Sequence, residues 1–102
     1  MLENNRFVIN GETIHLSIRV GCNRGCTPKV SGLKLKEYSH VEVLIFRPHE
    51  TGMEIYYPSQ FGFEGIDRYF DNEIGPFGIE VPIEKVQAFA DHLQKLSERE
   101  EE

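Results

Sequence analysis

One amphipathic segment near the end of the chain limits what the rest can fold into. From Ile83 onward, Ile83, Val86, Phe89, Ala90, Leu93 and Leu96 recur at three- and four-residue spacing. At about 100° per residue they fall within an arc of about 140°, wide enough to face a core. Glu84, Lys85, Gln87, Asp91, Gln94 and Lys95 take the other side, and Asp91 precedes Lys95 by four positions, the spacing of a weak exposed pair. The pattern predicts a helix from about Ile83 to Ser97. Pro82 suits its entry, where a missing N–H loses nothing. The acidic tail Glu98-Arg99-Glu100-Glu101-Glu102 sets negative charge against the C-terminal end of the helix dipole and is expected to fray over 98–102. Such a helix cannot bury its stripe alone, so it must lie on a sheet made from the earlier chain.

That earlier chain carries strand signals. Phe7-Val8-Ile9, then Asn10-Gly11, then Thr13 to Val20 reads as a hairpin, because both turn residues tolerate positive φ in a two-residue type I′ turn. The register sets Phe7 opposite Ile14. Ile14, Leu16, Ile18 and Val20 alternate inward, while Thr13, His15, Ser17 and Arg19 face water. His40 to Arg47 has apolar residues on both faces, with Val41, Val43 and Ile45 on one and Leu44 and Phe46 on the other, which marks a central strand. Pro48 to Gly52 reads as a turn into a second hairpin through Met53 to Tyr57, stopped by Pro58. Ile79-Glu80-Val81 reads as a short last strand, and Ile66 to Phe70 as one helical turn between glycines. The expected fold class is therefore α+β: one domain over 1–102, an antiparallel sheet of four to five strands built from two hairpins, and one C-terminal helix packed on one face.

At 102 residues the chain is long enough to bury a core without staples, and 39% hydrophobic with 27% charged residues is ordinary for a globular domain. The two cysteines make no disulfide framework, and no apolar run approaches a membrane span. The N-terminus lacks the basic and apolar regions of a secretory signal. A cytoplasmic protein with no membrane partner is expected. The net charge of −6 disfavours general attraction to nucleic acid, yet it is unevenly spread. Arg19 to Arg47 holds six basic against two acidic residues, and Pro48 to Glu102 four basic against thirteen acidic.

Two connections stand out. Gly21 to Ser39 is long, glycine-containing and basic, with a short irregular strand expected through Leu33 and Leu35. Its Arg24, Lys29, Lys34 and Lys36, beside glycines whose amides admit an anion, are candidates for binding anions or single-stranded nucleic acid. Cys22 and Cys26, spaced like paired zinc ligands, are candidates for metal together with His40 and His49, or for thiol redox chemistry. Ser59 to Gly78 interleaves aromatic and acidic residues. Phe61, Phe63, Glu64, Asp67, Tyr69, Asp71 and Glu73 are candidates for a protein-binding surface, with rings as anchors and carboxylates steering a basic partner. The competing reading is that at least three of Phe61, Phe63, Tyr69, Phe70 and Phe77 cover the end of the sheet.

No Gly-x-Ser-x-Gly and no phosphate-cradling loop before a helix occurs, and neither cysteine has a catalytic context, so an enzyme is disfavoured and no cofactor is expected. The expectation is a small acidic protein-binding or regulatory module, an inhibitor occupying a basic surface being one form. A homodimer is compatible with it. Single-stranded nucleic-acid binding through residues 22–36 is the alternative, and zinc or thiol chemistry at Cys22 and Cys26 the second.

Overall fold

The computed structural model describes residues 6–21, 25–30, 32–70 and 77–101. They form an α+β domain: a five-stranded antiparallel sheet with one C-terminal helix across one face. β1 (Arg6–Ile9) and β2 (Glu12–Arg19) make the first hairpin. Asn10 and Gly11 have φ of 53° and 76°, the positive pair a type I′ turn requires, and Phe7 stands opposite Ile14. β3 (His40–His49) is the central strand. One edge pairs with β2; the other carries β5 (Gly78–Pro82) along its first half and β4 (Gly52–Ile55) along its second.

β3 outruns the expected end at Arg47. Arg47 and His49 occupy the hydrogen-bonded positions toward β4, so the intervening Pro48 turns its nitrogen the other way, where pairing with β2 has already ended at His15–Phe46. The turn shortens to Glu50–Thr51.

α1 (Ile83–Glu101) follows β5 directly, with the Ile83 N–H donating to Ser39 O at 3.0 Å. Its stripe is the one read from the sequence: Val86, Phe89, Ala90 and Leu93 are buried, and Ile83 and Leu96 partly so. They pack on Phe7, Ile14, Leu16, Val41, Val43, Ile45 and Val81, each such apolar side chain contributing about 1.5–3 kcal/mol. The helix extends past Ser97 to Glu101, so its last turn includes most of the segment expected to fray. Gln94 donates to Glu98 at 3.3 Å across one turn there, and glutamate is a good helix former. No helix among the described residues is long and apolar enough to cross a membrane.

The connections close the ends of this core. Tyr38 and Cys26 from the first, and Ile66 and Phe70 from the second, are buried in it. The strand expected through Leu33 and Leu35 is replaced by a 3-10 turn at Leu35–Glu37, while Thr27 makes a single bridge to His40. Asp67–Tyr69 forms the short turn expected near Ile66 to Phe70.

Candidate functional site

Between Val41–Val81 and Val43–Gly78 the β3–β5 register slips, setting Ile79 and Glu80 against the single residue Glu42. This bulge holds Glu80 at φ 54° and re-aims it onto the first connection. The Glu80 N–H donates to Gly25 O at 2.8 Å, its carboxylate accepts the Thr27 hydroxyl, and Lys29 Nζ lies 3.4 Å away. Glu42, 5% exposed, accepts the Gly25 N–H at 3.2 Å. One of the proposed anion-binding lysines is thus paired with an acid from the second half of the chain. Lys34 and Lys36 are exposed, with no ion-pair partner among the described residues; Arg24 lies outside them.

Those of the proposed metal ligands that are described, Cys26, His40 and His49, are not brought together. His40 and His49 stand at opposite ends of β3, roughly 30 Å apart over nine residues of extended chain. His40 Nδ1 pairs with Ser39 Oγ at 2.8 Å and His49 Nδ1 with Thr51 Oγ1 at 3.1 Å. Cys26 is fully buried, its Sγ 3.3 Å from Pro28 O and 3.4 Å from Gly21 O. Cys22 lies outside the described residues. Among those described, no group of three or more His, Cys, Asp or Glu side chains is placed to hold a metal.

The aromatic candidates sit largely against the core. Phe61 and Phe63 are half-buried with ring centroids 6.3 and 5.2 Å from Phe89, and the Phe61 carbonyl and His92 Nε2 are 2.6 Å apart. Tyr69 is half-buried under the Arg68 guanidinium, which lies 5.0 Å from its ring centre. Asp67 accepts the Ser59 N–H at 3.0 Å and the Ser59 hydroxyl, which ties the segment to itself. Glu64 is exposed, and Asp71 and Glu73 lie outside the described residues.

Two features that sequence reasoning missed lie elsewhere. The first is a groove of about 450 Å³ between the first hairpin and the end of α1, floored by Ile9, Ile14, Phe61 and Leu96 and rimmed by Glu12, Tyr56 and Gln60. Behind Tyr56, Arg47 donates to the Tyr56 hydroxyl at 3.2 Å and to Glu54 at 2.9 Å, and its Nε is 3.5 Å from Glu12. The Tyr56 hydroxyl donates to Glu54 at 3.0 Å. These contacts, Tyr56 first and Glu54 next, raise the Arg47 pKa further. The Arg47 hydrogen bond holds the Glu54 carboxyl below its ordinary range, and partial burial pushes the Tyr56 phenol up.

The second is the sheet face opposite α1. Successive registers align Arg6, His15, Phe46 and Ile55 in one row across four strands. The His15 and Phe46 rings stack with centroids 5.1 Å apart and planes at 16°. Val8 and Met53, 47% and 50% exposed, flank the row. On β1 to β4 the acidic residue of this face is the buried Glu42, while Arg6 and Arg19 are its arginines. Alternation in β2 announced the face, but the partner of His15 depends on a pairing across the whole first connection. No protein-family model, curated protein or solved structure matches the chain.

Proposed function

We propose that this chain is a small non-catalytic module that binds a protein partner on the sheet face opposite α1 and acts through that complex. The observation that carries the reading is the row Arg6–His15–Phe46–Ile55, with half-exposed Val8 and Met53 beside it, on the sheet face opposite α1. An apolar centre with arginines toward its ends matches the usual anatomy of a protein contact, and it fits a partner whose apolar patch is bordered by carboxylates. The stacked rings favour a protein over nucleobases, because each already gives one face to the other. The aromatic segment from Phe61 to Tyr69 supports the core beneath this module and contributes less as an anchor.

The test uses Val8→Glu with Met53→Glu. Both side chains are about half in water, so the fold should tolerate the change. A partner recovered by crosslinking to the wild-type chain is expected to be lost from the variant while its urea midpoint stays put; undiminished recovery removes the proposal.

The exposed Lys34 and Lys36, and a sheet face poor in carboxylates, favour single-stranded nucleic acid as the second reading. It predicts salt-sensitive retention of an oligonucleotide that Lys34→Ala with Lys36→Ala weakens.

A further inference from the structure

The geometry points to the groove between the first hairpin and the end of α1 as a binding site for a small amphipathic cation, an ammonium group on an apolar body. The groove is separate from the sheet face proposed for the protein partner. Its volume of about 450 Å³ falls in the range of ligand pockets. Its floor is apolar: Ile9 and Ile14 are nearly removed from solvent, and Phe61 and Leu96 are partly buried. The Phe61 ring meets Tyr56 edge-on at 5.4 Å, so the wall offers an aromatic corner.

Charge decides which ligand this floor accepts. At the mouth, Glu12 and Glu54 share the single guanidinium of Arg47, at 3.5 and 2.9 Å. The three groups together carry one excess negative charge. Glu54 is the carboxylate committed to Arg47 and the Tyr56 hydroxyl, whereas among the described residues Glu12 is held by the longer contact alone, and it is itself a lining residue of the groove. An ammonium group beside Glu12 neutralises the cluster while its apolar body covers Ile14 and Phe61. A carboxylate ligand in the same pose would add a second excess negative charge. The hydrogen bonds to Arg47 and Glu54 also hold the Tyr56 wall in place before a ligand arrives, which lowers the ordering required on binding.

The experiment titrates 2-phenylethylammonium into the full chain and follows backbone amides by NMR, with 3-phenylpropionate as the oppositely charged probe. Saturable shifts confined to the neighbourhood of Ile9, Glu12, Ile14, Tyr56, Phe61 and Leu96 are expected. Glu12→Gln should weaken the cation roughly threefold to fivefold, the scale of a half-exposed charge contact, while leaving the spectrum folded. Leu96→Trp, which fills the groove, should abolish the shifts. Absence of saturation, equal binding of the two probes, or Glu12→Gln without effect would each overturn the assignment.

Discussion

Gly25 is held by both of its backbone groups at the β3–β5 bulge: its carbonyl accepts the Glu80 N–H at 2.8 Å while its own N–H goes to the Glu42 carboxylate at 3.2 Å. Nothing wider than glycine fits there. A Cβ at position 25 would stand 2.5 Å from Ile79 Cγ2 and 3.2 Å from the Ile79 backbone. Gly25→Ala is expected to destabilise the domain by about 1–3 kcal/mol, the usual range for overpacking. Ile79→Ala in the same chain should recover part of that loss, because it removes the nearest atom. Urea unfolding of the two variants checks both statements, and full stability of Gly25→Ala would show that the clasp yields freely.

The turn of the first hairpin makes a more local demand. Gly11 has φ of 76° with open space around its Cα, so any penalty for a side chain there comes from backbone conformation rather than from contact. Gly11→Val is therefore expected to lose roughly 1–2 kcal/mol, whereas Gly11→D-Ala should keep full stability. Chemical synthesis of the 102-residue chain allows that comparison by thermal unfolding.

These two glycines mark where legibility in the sequence ends. Asn10-Gly11 flanked by apolar runs specifies turn type and register within four residues, and so Phe7 opposite Ile14 was readable. The stripe on α1 was readable for the same reason: its period lies within one segment. The bulge was not, because a positive φ at Glu80 has no local signature, and the contacts that accompany it reach back more than fifty residues to Gly25 and Thr27. Nor was the Arg47 cluster, whose partners Glu12, Glu54 and Tyr56 come from β2, from β4 and from the residue just past β4. The composition of the aromatic run after Pro58 points toward a partner, although Phe63 packs on α1 through Phe89 and the Asp67 carboxylate ties the run to itself at Ser59.

The edge strand β1 is guarded by the helix. Ser97 is buried, and its Oγ accepts the Val8 N–H at 3.2 Å, occupying a donor that would otherwise face out from the sheet. Ser97→Ala should leave that N–H without its partner, with a loss of about 1 kcal/mol. Hydrogen exchange gives the sharper readout: the Val8 amide should lose protection in the variant while Ile14 and Ile45 keep theirs. Equal protection of Val8 in both proteins would mean that the contact does not persist in solution.

Acid should loosen the Arg47 cluster. The folded state holds the Glu54 carboxyl below its ordinary range, so its favourable contribution is full above that range and is lost as pH falls through the depressed folded value. The side chain is 51% exposed, so the effect is small and screened by salt. Glu54→Gln is expected to remove this part of the acid limb of the stability curve, with no change in slope near neutrality. An identical acid limb in both proteins would assign the pH dependence to other carboxylates.

His15 and Phe46 give the last test, since they decide whether the sheet face is a built surface or an accident of alternation. Their strands are the two inner ones of the β1 to β4 row, their rings lie 16° from parallel, and their centroid separation of 5.1 Å is close to the spacing between strands. Each ring therefore shields the other in the folded chain and neither does so in the unfolded one. A cross-strand pair of this kind contributes about 0.5–1 kcal/mol beyond the separate side chains. In a double-mutant cycle with His15→Ala and Phe46→Ala, the coupling should reach that size. Coupling within error of zero would mean that the two rings act independently, and the row from Arg6 to Ile55 would then lose its preorganised centre.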